Sequence, residues 1–172
     1  SGDPNSINSE IIYKSWKKLP TSIKKNIYII TSYDLLKEQF KILKYPIKMI
    51  KVEDINKKIF TNKLQIINVN VKFQNPFKVS NKASSIFIKN KINMAHKMAL
   101  KENIKGIINC PIDKKLLQKK NQGITEFLAS KCGVKNNSEV MLIKSKHLSV
   151  SPITTHLDLK DVEKKINAKL II

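Results

Sequence analysis

Short β-rich runs alternate with amphipathic helical stretches along this chain. That alternation limits the folds open to it more than any other feature. The runs are "NIYIIT" at 26–31, "IKMIKV" at 47–52, "LQIINVNV" at 64–71 and "GIINC" at 106–110. Between them, apolar residues recur at helical spacing. Ile12, Trp16 and Leu19 share a face of a predicted helix over 9–19, with Asn8 or Ser9 as its cap and Pro20 as its stop. Ser32 opens a second helix that carries Leu35, Leu36, Phe40 and Leu43. Residues 72–80, with Asn75-Pro76, read as a loop. A long helix is predicted over 82–102, with Ile88, Ile92, Ala95, Met98 and Ala99 as its apolar stripe. Strands separated by helices belong in one sheet with helices packed on it, so the expected fold is a layered α/β fold with a mixed or parallel sheet.

The later part of the chain continues the pattern. A helical stretch starts at Lys114, breaks at 121–123 and resumes over 125–131. "VMLIK" at 140–144 and "LSVSPIT" at 148–154 are strand candidates around a short turn, and Asp158 or Leu159 opens a last helix to about Asn167. In open α/β sheets, ligands bind beyond the carboxyl ends of the strands. Three loops qualify by position: 2–9, 110–114 and 154–158. The third holds His156, after Thr154 and Thr155. On its own, His156 is compatible with a structural side chain and with a ligand facing a cleft.

Composition excludes some functions and weakens others. No apolar stretch reaches the roughly 20 residues a membrane helix needs, and "SGDPNSINSE" shows no secretory leader. Cys110 and Cys132 form no C-x-x-C pair, which suits a reducing cytoplasm. The formal charge is +20, a reason to consider nucleic acid. Yet all 33 basic residues are lysine, and they are spread over every segment. A dedicated reader of phosphate and guanine would use arginine, whose planar fork binds both in bidentate fashion. The expectation is therefore a solvated lysine surface with weak, salt-sensitive polyanion binding and no specific nucleic-acid site.

Three stretches read together carry a resemblance. They are "GDPNSINSE" at 2–10, "INCPIDKKLL" at 108–117 leading to "GITEFLA" at 123–129, and "ITTHLDLKDV" at 153–162. In this order and spacing the chain resembles the 4-hydroxythreonine-4-phosphate dehydrogenase family of vitamin B6 (pyridoxine) biosynthesis. The resemblance implies a homodimer of two-lobed, three-layer α/β/α subunits, similar in architecture to isocitrate and isopropylmalate dehydrogenases. It implies a cytoplasmic, NAD-dependent oxidoreductase acting on a small phosphorylated substrate, with a divalent metal ion (zinc, magnesium or cobalt) in the cleft. It also assigns residues. His156 matches a metal-binding histidine. Thr125 matches a threonine that contacts the phosphorylated substrate, and it also stands at a predicted helix start, where an N-cap role alone would explain it. Lys114 matches a lysine of the family motif, apt beside a phosphate or carboxylate.

The match has two departures. The family's Gly-His-Thr-Glu is Gly123-Ile124-Thr125-Glu126 here, and isoleucine neither donates nor accepts a hydrogen bond. Ser6 and Asn8 stand where the family opening has glycines. The family also runs to about twice this length and draws two more metal histidines from its second half. These 172 residues therefore read as an N-terminal half, with 1–114 in a first lobe and 115–172 beginning a second. Two other readings stay open: an inactive relative that binds a small phosphorylated ligand or a partner, and a lysine-rich nucleic-acid binder.

Overall fold

The computed structural model describes residues 2–55, 62–101, 104–117, 124–134, 140–154 and 157–168. By contact they divide into two compact units, Ser1–Ile124 and Thr125–Ile172.

The first unit is built on a parallel three-stranded sheet. Its strands are β1 (Tyr28–Thr31), β2 (Met49–Lys51) and β3 (Leu64–Asn68), in the order β1-β3-β2. Central β3 pairs Ile66 with Ile29 on one side and Leu64 with Met49 on the other. These residues meet Ile12 and Trp16 of α1 (Asn8–Lys18) and Leu36 and Phe40 of α3 (Tyr33–Ile42). Ile30, one residue out of phase, joins a second cluster with Phe87 of α4 (Asn81–Ala99), Leu35 and Val79. Helices thus cover both faces, because side chains alternate along a strand and each face must be buried. The short α2 (Thr21–Lys24) leads into β1. Among the described residues no helix is long and apolar enough to cross a membrane.

Helix ends follow local chemistry where nothing else competes. Leu19 is extended, as a residue before proline tends to be, and α1 stops there. Ser32 and Ser80 cap α3 and α4 by accepting from the N–H groups of Leu35 and Ala83. The α1 cap differs from expectation. Its N-cap is Ile7, without a side-chain cap bond, and Asn8 already lies in the helix with its amide committed to tertiary bonds.

After α3 the chain turns through Lys44, at φ 55°. The N–H of Tyr45 donates to the Phe40 carbonyl at 2.9 Å, which closes the helix end. That turn brings Tyr45 face to face with Tyr13, with ring centroids 4.0 Å apart. A lysine in the left-handed region is strained by its Cβ. Lys44→Gly is expected to raise stability by about 0.5–1 kcal/mol, after the entropy that glycine adds to the unfolded chain. Chemical denaturation would show the gain as a higher midpoint at unchanged slope.

"GIINC" does not form the strand that its β-rich composition predicts. Residues 106–110 are irregular, and Ile108 is 90% exposed. A strand needs a neighbour to pair with, and no described segment pairs with it. The chain beyond it is held by a 3-10 turn, Lys114–Leu117, whose Leu116 and Leu117 are buried and which packs on α4.

The second unit holds α5 (Ile124–Lys131, beginning at the boundary residue), a short antiparallel pair of β4 (Ile143–Lys144) and β5 (Ser149–Val150), and α6 (Leu159–Lys165). Gly133, at φ 69°, ends α5, and the N–H of Val134 returns to the Ala129 carbonyl at 3.1 Å.

Candidate functional site

Two of the three expected loops come together. Loop 2–9 lies beyond the carboxyl end of β1, where Gly2, Asp3, Asn8, Thr31 and Gln39 line one small cavity. It is tied down at every second or third residue. The N–H of Asp3 donates to the Pro111 carbonyl at 3.1 Å, and the Asn8 amide donates to that same carbonyl at 3.0 Å and to the Asp3 carbonyl at 2.7 Å. Asn5 pairs with the Val79 backbone in both directions, each bond 2.8 Å long. Gln39 of α3 reaches across to the carbonyls of Pro4 (2.8 Å) and Pro76 (2.7 Å). Loop backbone groups that water would otherwise satisfy are here satisfied by side chains, which lets Gly2, Asp3 and Pro4 be buried while Asn5 and Ile7 stay exposed.

Gly2 is the tightest point. A Cβ there would stand 2.0 Å from the Pro111 carbonyl oxygen and 2.8 Å from that of Cys110. Only a residue without a side chain allows the two loops to meet so closely.

A residue that sequence reasoning passed over sits at this junction. Lys91 of α4 is 3% exposed, and its ammonium donates to the Gly2 carbonyl at 2.6 Å. The ammonium also lies 4.0 Å from the centre of the Phe87 ring. Burial pushes its pKa down from the ordinary 10.5 to about 7, while Cys110 and Asp3 act in the opposite direction. A signal for it was present. Ser84, Phe87, Ile88, Lys91 and Ile92 are all buried, at the spacing of one helical face, so the period places this one lysine among the core positions.

The residues singled out from sequence fall differently. Lys114 opens the 3-10 turn and is exposed. It follows Pro111, the residue to which loop 2–9 is bonded, by three residues. Thr125, in the second unit, is exposed and is the second residue of α5 rather than its cap. At that position its backbone N–H belongs to the first turn, whose donors have no partner within the helix. His156 lies outside the described residues. Among those described, no three His, Cys, Asp or Glu side chains gather into a group that fits a metal ion. The four glycines of the chain are too scattered for a glycine-rich dinucleotide loop.

Comparison with known proteins places this geometry in a family. The family model for the pyridoxal phosphate biosynthetic protein PdxA matches residues 23–172. The 4-hydroxythreonine-4-phosphate dehydrogenase of Sulfurihydrogenibium sp. (strain YO3AOP1) is 32% identical over 99% of this chain and 52% of its own length. That of Aquifex aeolicus (strain VF5) is 30% identical with the same coverage. Among solved structures, the 4-hydroxythreonine-4-phosphate dehydrogenases of Burkholderia phymatum and Klebsiella pneumoniae share the fold. Their TM-scores are 0.84 and 0.85, at 24% and 21% identity; each covers 99% of this chain, which spans 52% and 54% of theirs. The chain thus spans about half the length of the relatives it matches, and it belongs to the PdxA family of pyridoxal phosphate biosynthetic proteins.

Proposed function

We propose that the protein is an NAD-dependent, divalent-metal-assisted dehydrogenase acting on 4-phosphooxy-threonine or a related phosphorylated hydroxy acid. The product β-keto acid then loses carbon dioxide, on the route to pyridoxal phosphate. The observation that carries this reading is the seating of the Gly2-Asp3 loop on Pro111, which joins two of the three family motifs in one rigid seam. The names of the relatives supply the substrate. In this reading the Lys114 ammonium holds an anionic group of the substrate. Thr125 meets the phosphate with its hydroxyl and the free N–H groups of the first turn of α5. His156 gives a neutral imidazole to a zinc, magnesium or cobalt ion. Such an ion, when bound, polarises the alcohol and ketone oxygens. The working form is a cytoplasmic homodimer. Residues 1–114 belong to its first lobe, and 115–172 begin the second.

The test uses the full-length gene product with 4-phosphooxy-threonine, NAD and a divalent metal. NADH formation is expected, and His156→Ala should lower turnover by at least about 10–100-fold, the loss typical of disturbed metal shells. Absence of both metal and NAD binding, with no effect of His156→Ala, would refute the reading. A second reading rests on Ile124, which removes a hydrogen-bonding side chain from the family motif. It is an inactive relative that retains a small phosphorylated ligand, and phosphate-ester binding without turnover would select it.

A further inference from the structure

We propose that Lys91 is a positioning residue for the candidate site: from α4 it fixes the Gly2-Asp3 peptide, and through that peptide the segment from Pro111 to Lys114. The inference rests on the reading that Lys114 holds an anionic group of the substrate.

The geometry is a clamp on one peptide plane. Its carbonyl, from Gly2, accepts from the Lys91 ammonium at 2.6 Å. Its N–H, from Asp3, donates to the Pro111 carbonyl at 3.1 Å. A peptide is planar, so fixing one side fixes the direction of the other. The missing Cβ of Gly2 lets this plane lie directly against Cys110 and Pro111. The far end of the same segment is also held by α4, where the Ser85 hydroxyl donates to the Leu116 carbonyl at 2.6 Å. One helix thus grips the segment carrying Lys114 at both ends, directly through Ser85 and by way of the Gly2-Asp3 peptide through Lys91.

A buried ammonium is a costly way to fill a core position that methionine or leucine would pack as well. What it adds is a strong, directional, charge-assisted bond to a carbonyl. Among the described residues, Asp3 from loop 2–9 and Cys110, just before Pro111, are titratable groups that act on Lys91, and both favour the charged form. The clamp is therefore tightest when Lys91 carries its proton, and it loosens as pH rises through about 7.

The test is sulfate affinity of the full-length protein as a function of pH, sulfate being a dianion whose charge is constant over the range used. Lys91→Met is expected to bind sulfate about tenfold more weakly at pH 6. Between pH 6 and 8.5 the wild-type advantage over Lys91→Met should shrink to within threefold. Lys114→Met should weaken binding at least as much. If Lys114→Met binds sulfate as the wild type does, the reading of the site fails and the role of Lys91 with it. If Lys114→Met weakens binding while folded Lys91→Met matches the wild type at every pH, the Lys91 proposal alone is overturned. Should Lys91→Met fail to fold, the unmutated protein decides. The backbone amide nitrogens of Asp3 and Lys114 should then shift with one shared inflection near neutral pH, and independent titration of the two would overturn the proposal.

Discussion

Gly2→Ala is expected to unseat loop 2–9 and to destabilise the first unit by about 3 kcal/mol, the upper part of the range for overpacking a filled site. The new methyl group would stand 2.0 Å from the Pro111 oxygen, 2.6 Å from the Asn8 amide nitrogen and 2.8 Å from the Cys110 oxygen. Two of these three are backbone atoms and cannot swing aside. Either the 110–111 backbone retreats or the Gly2-Asp3 peptide lifts off it. In both cases the bonds from Asp3 and Lys91 are strained together. Other glycines provide internal controls. A Cβ on Gly106 meets nothing within 4 Å, so Gly106→Ala should change stability by less than about 0.5 kcal/mol. Gly133→Ala also has open space but sits at φ 69°, so it should cost about 1 kcal/mol through backbone strain alone. Denaturant midpoints of the three variants should fall in that order, with Gly2→Ala lowest. A Gly2→Ala protein as stable as Gly106→Ala would mean that the two loops do not meet as described.

Much of the fold was legible because two periods wrote it. Leu64 and Ile66 alternate on β3, and Ile12 with Trp16 and Leu36 with Phe40 recur at one helical turn; each set is buried together. Ser32 was legible for a local reason, since its hydroxyl serves the helix it begins. Readings failed where a distant partner decides the outcome. Asn8 has the chemistry of a cap, but Pro111, 103 residues away, claims its amide. "GIINC" has strand propensity, but propensity names no neighbour, and Ile108 stays exposed among the described residues. The candidate site divides along the same line. Motif spacing found the 2–9 and 110–114 loops, yet nothing in the spacing shows that a peptide of one is sandwiched between a carbonyl of the other and a lysine of α4. In a chain with 33 lysines, Lys91 is conspicuous only by its place on the buried face of its helix.

Lys91 should also make stability depend on pH in a way that surface lysines do not. Its pKa is about 7 in the folded protein against 10.5 when solvated. Between those values the unfolded chain holds a proton that the folded chain has released, so unfolding takes up a proton. Stability from this group is then fully present above 10.5, declines as pH falls through the window, and is gone below about 7. The slope approaches about 1.4 kcal/mol per pH unit, which amounts to a few kcal/mol over the whole window. The other lysines add a background as the net charge of +20 relaxes at high pH, and Lys91→Met isolates the specific part. Methionine fills a similar volume and escapes the cost of burying charge, but it leaves the Gly2 carbonyl without this donor, a loss of about 1–3 kcal/mol. The two stability curves should therefore cross. Lys91→Met is expected to be at least as stable as the wild type at pH 6, and less stable than it at pH 10. Thermal unfolding across that range is the measurement. Parallel curves, with the variant offset by the same amount at both ends, would show that the amine titrates in the fold as it does in water. The crossing itself would identify a residue that costs stability at neutral pH, as expected of a charge retained for the loop it holds rather than for the fold.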